Sequence, residues 1–281
     1  MKTYDRAKYG ALFDAHVHSY FDFHDGMITP QDLVDAVYQR GLNWVCAMAH
    51  DTVRGVPKIR RLAKEKGLPT ISGIEISTTH NHLLAYGLQE WHVQRDCIDP
   101  DEAIELLREQ DAAIFLAHPY TNPKGVDHGY WSPRILEKLD VDGIEYYNGG
   151  TYFLNRGTKK NLSNFIPKGR RIAGTDAHHK SNVGYAYTQV DINSEDPDDL
   201  VAAMQNGKCK PYMNPVPLHR FLYQVILGTF KNKVLKRRVV EGTPIIANGD
   251  RPGTEIVDHF DPHSEWVSHI LRQNVFERKW D

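Results

Sequence analysis

"GALFDAHVHS", residues 10–19, is the stretch from which the rest of the chain is read. It opens as a short buried strand and ends in polar residues. His16 and His18 stand two apart, so on a strand their side chains share one face. Two imidazoles side by side suit one metal ion, although an HxH pair alone is a common surface or core pattern. The extended stretch "FDAHVHSYFDFHDG", residues 13–26, adds further histidines and aspartates. The same spacing recurs in "AGTDAHH", residues 173–179, where Asp176 and His178 share a face. His179 points the other way and reads as structural.

Working outward, strand and helix signals alternate. "TPQDLVDAVYQRG", residues 29–41, reads as a helix capped by Thr29, with Pro30 in its first turn and Gly41 as its stop. "LNWVCAMAH", 42–50, is an apolar run ending at His50, followed by Asp51. "GVPKIRRLAKEKG" reads as a helix with a solvated basic face. "LPTISGIEIS", 68–77, is a strand carrying Glu75, and "HLLAYGL", 82–88, is another apolar run, with His82 at its start. "DPDEAIELLREQ" is a helix with an acidic start. "AAIFLAHP", 112–119, is a strand ending at His118. "SPRILEKL" reads as helix, "VDGIEYYNGG" as a strand ending near Asn148, "YAYTQV" as a short strand and "DPDDLVAAMQNGK" as a helix.

Continuous apolar strands alternating with helices predict an α/β fold with a largely parallel sheet. The number of elements suits an incomplete or distorted barrel better than a small open sheet. Polar residues gather at the C-terminal ends of the strands, where barrel enzymes carry their chemistry. A doubly wound sheet is the alternative, but the Gly-rich dinucleotide fingerprint is absent. Residues 1–210 read as the main domain and 211–281 as a helical and irregular extension packed on it. Within the extension, "PLHRFLYQVILGTFKNKVLKRRV", 217–239, reads as a long amphipathic helix with a basic end. Its simplest reading is an outer helix, and its alternative a nucleic-acid or membrane-surface patch.

Composition narrows the function. The chain has 281 residues, is 41% apolar and 25% charged, and carries a formal charge of -2. It can bury a core, and nothing global marks a nucleic-acid binder. Cys46, Cys97 and Cys209 are isolated, which argues against a disulfide scaffold and a thiolate zinc site. The first residues lack the apolar core of a secretion signal, and no stretch approaches the ~18 apolar residues of a membrane span. A soluble cytoplasmic protein with no membrane partner is expected. Histidine is the outlier: 15 residues, roughly twice the ordinary share.

His16, His18, His50, Glu75, His118, Asp176 and His178 all fall at or near strand ends. An imidazole or carboxylate buried there must be paired or metal-bound. All are nitrogen or oxygen ligands, which favours zinc, manganese or iron. So many ligands imply more than one metal ion, with Glu75 the best bridging carboxylate.

These residues sit in an ordered set of motifs: "DAHVHS", "DG" at 25–26, "AHDT" at 49–52, "GIEIS", "HLLAYG", "AHP", "GIEYYNG" and "GTDAHH". In that order, over roughly residues 12–210, the chain resembles the PHP (polymerase and histidinol phosphatase) family, in particular its stand-alone metal-dependent phosphoesterases. The resemblance implies a distorted seven-stranded β/α barrel with two or three divalent ions at the strand ends. It implies a first metal on His16, His18, Glu75 and Asp176, and a second on Glu75, His82 and His118. A third would take Asp25, His50 and His178. His24 is an alternative to Asp25, and His80 to His82. Ala49 departs from the family, whose members often carry aspartate there, and weakens an outer hydrogen bond to His50.

The reaction so implied is phosphoester hydrolysis by water activated between the first two metals, with the third on a phosphate oxygen. Asp176, Glu75, His178 and Asp51 are the expected catalytic group, with His178, His50 or Asp51 available to protonate the leaving oxygen. Arg156, Arg54 and Lys180 are the cationic anchors expected for phosphate, each competing with a role as a solvated surface charge. Asn148 is a further substrate donor or a strand cap. "TNPKGVDHGYW", 121–131, reads as a substrate-facing loop whose Tyr130 or Trp131 stacks on a ring, or as a loop docked to the core by Trp131. The expected substrate is a small phosphorylated metabolite, a nucleotide or a short oligonucleotide. An amidohydrolase-like C–N or C–O hydrolase is the enzyme alternative, and a nucleic-acid-binding accessory module the non-catalytic one.

Overall fold

The computed structural model describes residues 9–21, 26–93, 97–119, 138–151 and 167–230. Three helices begin with the same local chemistry. α1 (Pro30–Arg40) is capped by Thr29, α3 (Pro100–Arg108) by Asp99 and α4 (Pro197–Gln205) by Asp196. In each, the cap oxygen accepts a backbone N–H of the first turn, and the following proline supplies a preset φ where no N–H is needed. Gly41 ends α1 at φ 76°, the left-handed conformation that glycine reaches without a Cβ penalty. α2 spans Val56–Glu65 and α5 spans Leu218–Phe230. Among the described residues, no helix is long and apolar enough to cross a membrane.

Among the described residues, nine strands form two sheets. β2 (Val45–Ala47), β3 (Thr70–Ser77), β4 (His82–Tyr86), β5 (Ala113–Leu116), β6 (Gly143–Asn148) and β7 (Arg171–Gly174) make a curled six-stranded sheet in sequence order. β1 (Ala11–Phe13), β8 (Ala186–Val190) and β9 (Cys209–Met213) make an antiparallel three-stranded sheet. The mixed α/β architecture is as expected, but the large sheet is less parallel than predicted. β4 runs antiparallel to both β3 and β5. The link 78–81 is the reason: it is far shorter than the dozen or so residues a parallel crossover needs, so the chain turns straight back.

Beyond β1 the chain leaves the small sheet and enters the gap between the outer strands of the large one. Asp176 N–H donates to the His16 carbonyl at 2.8 Å, and His18 N–H donates to the Ala177 carbonyl at 2.9 Å. On the other side Ser19 N–H donates to the Met48 carbonyl at 3.1 Å. The histidine pair of the opening stretch is thereby held between the ends of β7 and β2.

Strand periodicity sorts the core into two layers. Leu84, Tyr86, Ala113 and Phe115 face one apolar cluster with Phe13 and Trp44. Ile74, Ile76, Leu83, Leu116 and Ile144 face another, with Ile104 and Leu107 of α3. Glu75 lies between two residues of the second layer, so its side chain must point the other way, towards the inner face. The same rule would send His118 outwards with Leu116. Instead His118 takes φ 24°, which breaks the alternation and turns its ring inward.

Candidate metal centre

The inner face at the strand ends gathers imidazoles around one buried carboxylate. Glu75 is 1% exposed. Its Oε2 lies 2.9 Å from His16 Nε2, 3.0 Å from His18 Nε2 and 3.3 Å from His50 Nε2. Its Oε1 lies 2.8 Å from His82 Nδ1 and 3.0 Å from His118 Nε2. Asp176 closes the other side, its Oδ1 3.1 Å from His18 Nε2 and 3.5 Å from His16 Nε2. The His178 ring stacks on His18 with centroids 4.3 Å apart.

The donor set fits metal ions. His16 Nε2 and His18 Nε2 are 3.0 Å apart and share Glu75 Oε2. Two atoms bound to one ion at about 2.0–2.2 Å are separated by about 3 Å, so these gaps, which are also hydrogen-bond distances, are compatible with ligands around a common centre. Among the described residues, three groups have atoms close enough to hold an ion: His16, His18, Glu75 and Asp176; His50, Glu75 and His82; His18, His50 and His178. The first group is the one expected from the sequence. In the second, His50 stands with His82, while His118 meets the same Glu75 oxygen as His82. In the third, His18 joins His50 and His178. Asp25, its alternative His24, Arg156 and the 121–131 loop lie outside the described residues.

Charges in the cluster compensate one another. Burial alone would raise the Glu75 carboxyl, but His16, His50 and His82 together with the bond to His118 hold it well below the usual range. Burial likewise opposes ionisation of Asp176, and His16, the hydrogen bond from His18 and the charge of His178 bring it well below the ordinary value. Burial works against a charged His16, yet Glu75, Glu145 and Asp176 raise it well above the usual histidine range. The metal-free cluster therefore retains protons that ions would displace.

Backbone strain concentrates here. Among the described residues, the non-glycine positions with positive φ are Asp51, Asp111, His118 and Asp176, and three of these four border the cluster. Such conformations persist only where surrounding bonds enforce them. Asp51 is held by Ser77, whose N–H and Oγ donate to its two oxygens at 2.8 and 2.7 Å.

Several residues that the sequence reading passed over do the aligning. Glu145 Oε1 accepts from His16 Nδ1 at 3.0 Å, leaving Nε2 for the cluster. Its Oε2 accepts His118 N–H at 2.7 Å and Asn148 Nδ2 at 3.1 Å. A signal for Glu145 existed: "GIE" at 143–145 repeats "GIE" at 73–75, a carboxylate inside a buried strand. Asp14 is buried beneath the histidine pair and accepts from Thr175 Oγ1, Thr175 N–H and Gly184 N–H. Burial pushes its carboxyl up to about 6 against those bonds. Gln224 of α5 reaches the Asp176–His178 turn, and nothing in its amphipathic context announced that.

The anchors are placed less directly. Asn148 Nδ2 donates to Asp176 Oδ2 at 3.2 Å as well as to Glu145, so it belongs to the cluster's frame. Among the described residues, Lys180 pairs with Asp32 of α1 at 3.2 Å, and the Arg54 backbone amide donates to Thr52 Oγ1. His80 sits in the β3–β4 turn, its N–H donating to Thr78 Oγ1 at 3.1 Å.

His179 faces away from the cluster, although β7 has ended at Gly174 and His179 caps a short 3-10 helix rather than continuing a strand. Its ring lies edge-on to Tyr223, with centroids 5.1 Å apart, and its Nδ1 accepts from Ser181 N–H at 3.3 Å. Burial, with Lys180 nearby, lowers its pKa from 6.5 to about 4. The unfolded chain takes up this proton as pH falls through 6.5, whereas the folded chain resists until about 4. Stability is therefore complete above pH 6.5 and lost towards pH 4. His179→Asn keeps a capping acceptor and cannot titrate. Unfolding free energies of the two proteins should diverge across that window by about 3 kcal/mol, with the variant less acid-sensitive.

Comparison with known proteins places this geometry. The family model of the PHP domain matches residues 14–166, and a PHP-associated model matches 170–209. The chain is 29% identical over 144 residues to an uncharacterized protein of Methanocaldococcus jannaschii, covering 48% of this chain and 80% of that one. It is 39% identical over 138 residues to a 5'-3' exoribonuclease of Haemophilus influenzae, covering 48% of each. The match thus spans about half the length of the exoribonuclease. Among solved structures, a two-domain protein of Bacteroides vulgatus containing a predicted PHP-like metal-dependent phosphoesterase superposes with a TM-score of 0.58 at 21% identity. That alignment covers 77% of this chain and 69% of that one.

Proposed function

Because the chain belongs to the PHP family, we propose that it is a metal-dependent phosphoesterase whose centre lies at the strand ends of a distorted seven-stranded barrel. In this reading the segment after β1 takes the seventh place. The observation that carries the proposal is the convergence of five imidazoles on the buried Glu75 carboxylate, with Asp176 completing the ring.

His16, His18, Glu75 and Asp176 would hold one divalent ion, Glu75 with His82, His118 and His50 a second, and His178 with His50, His18 and Asp25 a third. Manganese, iron and zinc all suit these nitrogen and oxygen ligands. Such ions supply an activated water and neutralise charge on phosphate oxygens. The remaining work falls to the chain. Glu145 and the Asp176 carbonyl accept the Nδ1 hydrogens of His16 and His178, so both rings face the centre through Nε2. Asn148 holds Asp176 in place, and the buried walls limit bulk water. Asp51 lies beside His50 and His82 as a proton carrier for the leaving oxygen, its carboxyl raised by burial against the Ser77 bonds. Arg156, Arg54 and Lys180 are the proposed phosphate anchors.

The substrate class is a small phosphorylated metabolite, a nucleotide or a short oligonucleotide end, and the setting is cytoplasmic. The exoribonuclease relative supports including oligonucleotides. The test is phosphate and nucleotide release by metal-reconstituted protein from histidinol phosphate, mononucleotides, nucleoside bisphosphates and short oligonucleotides. Turnover of one class, reduced at least about a hundredfold in Asp176→Ala, is expected, since even outer partners of metal ligands act on that scale. Silence across the panel with metal bound would overturn the proposal.

A further inference from the structure

α5 lies beyond both segments that match the family models, yet one of its side chains enters the metal centre's frame. Gln224 is 8% exposed. Its Oε1 accepts His178 N–H at 3.0 Å and Asn182 Nδ2 at 2.7 Å. Its Nε2 donates to the Asp176 carbonyl at 3.0 Å. The backbone partners fix the amide's orientation, because an N–H can only donate and a carbonyl can only accept.

The Asp176 carbonyl is the decisive atom. It also lies 2.9 Å from His178 Nδ1, which must carry the hydrogen of that bond. Once the ring is neutral, the form a metal ion requires, its lone pair then lies on Nε2. The carbonyl belongs to a residue held at φ 52°, a conformation that costs a non-glycine residue free energy. One amide thus restrains both ends of the turn: it donates to residue 176 and accepts from residue 178.

We infer that Gln224 is a positioning residue of the metal centre, holding the Asp176–His178 turn so that His178 presents Nε2 beside His18 and His50. The inference rests on the reading that this cluster binds metal. α5 is on this account part of the site. Arg220 Nη1 donates to the Ser181 carbonyl at 3.0 Å, and Tyr223 packs on His179, contacts that dock the helix beyond the 176–178 turn.

The full-length protein tests this without any substrate. Long-range proton–nitrogen spectra of the metal-free chain, recorded at a pH high enough that the His178 ring is neutral, report its tautomer, and calorimetric titration with Mn²⁺ reports each binding event. In Gln224→Leu, of similar size, the Nδ1–H form should give way to a mixture. The weakest Mn²⁺ event should lose about tenfold to a hundredfold in affinity while the tightest is unchanged. Gln224→Glu keeps the acceptor for His178 N–H, loses the donor, and should fall between; it also serves if the leucine variant does not fold. Arg220→Ala loosens the helix alone, and should lower the melting temperature while leaving the titration intact. Wild-type tautomer and Mn²⁺ affinity in Gln224→Leu and Gln224→Glu would overturn the inference, as would equal weakening in Arg220→Ala. Tautomer and affinity are read without turnover, so a protein that bound Mn²⁺ but hydrolysed no phosphoester would still decide the role of Gln224.

Discussion

Glu75→Ala is expected to lose most of its bound metal and, with it, hydrolysis. The two carboxylate oxygens meet different histidines: Oε2 faces His16, His18 and His50, and Oε1 faces His82 and His118. Among the described residues, Glu75 also appears in two of the three groups able to hold an ion. Its removal therefore weakens two positions at once, whereas a histidine variant keeps the shared carboxylate. Metal content after dialysis should fall by about two equivalents, and turnover by at least about a thousandfold, beyond the hundredfold scale of outer partners. The metal-free protein changes as well. Glu75 is fully buried, and the histidines that stabilise its charge would lose their counter-charge. Breaking such a buried arrangement costs about 3–5 kcal/mol, here moderated because the histidines can release their protons. Denaturation with chelator present measures that part separately. An alanine variant that retains a full metal complement would refute the bridging position of Glu75.

Gly174→Ala should be nearly as damaging, although residue 174 bears no ligand. A Cβ there would lie 2.8 Å from His16 Cα and closer still to His16 N and Cβ. These are backbone-level atoms that no rotamer change can move away. β7 and the 14–18 segment would have to separate, stretching the bonds from Asp176 N–H to His16 and from His18 N–H to Ala177. Overpacking of this kind costs about 3 kcal/mol or more. For a chain of this size that is about 6–12 °C of melting temperature. The same displacement draws His16 and His18 away from Asp176, so metal affinity should fall with stability. Thermal unfolding in chelator and metal titration of the surviving folded protein read the two effects apart. Unchanged values in both would show that the two segments do not approach as closely as described.

Much of this protein is written in short stretches of its chain. The cap–proline starts at Thr29, Asp99 and Asp196 set helix beginnings through bonds within four residues. The alternation in "GIEIS" forces Glu75 inward wherever that strand is buried. The spacing of His16 and His18 puts their rings on one face. These features depend only on near neighbours and on the apolar pattern, so they survive without knowledge of the tertiary fold.

What the tertiary structure decided concerns contacts between distant segments and departures from local rules. Strand alternation places His118 outside, and only its φ of 24°, enforced by Glu145 accepting its N–H, brings it in. Glu145 shared the "GIE" signal with Glu75, but its three partners come from three different segments. The reversal of β4 followed from a link too short to cross over. Gln224 was hidden most completely. Its place on an amphipathic helix says that one face is buried, and nothing in local periodicity says that this face meets the Asp176–His178 turn, because that depends on where α5 docks some 45 residues later in the chain.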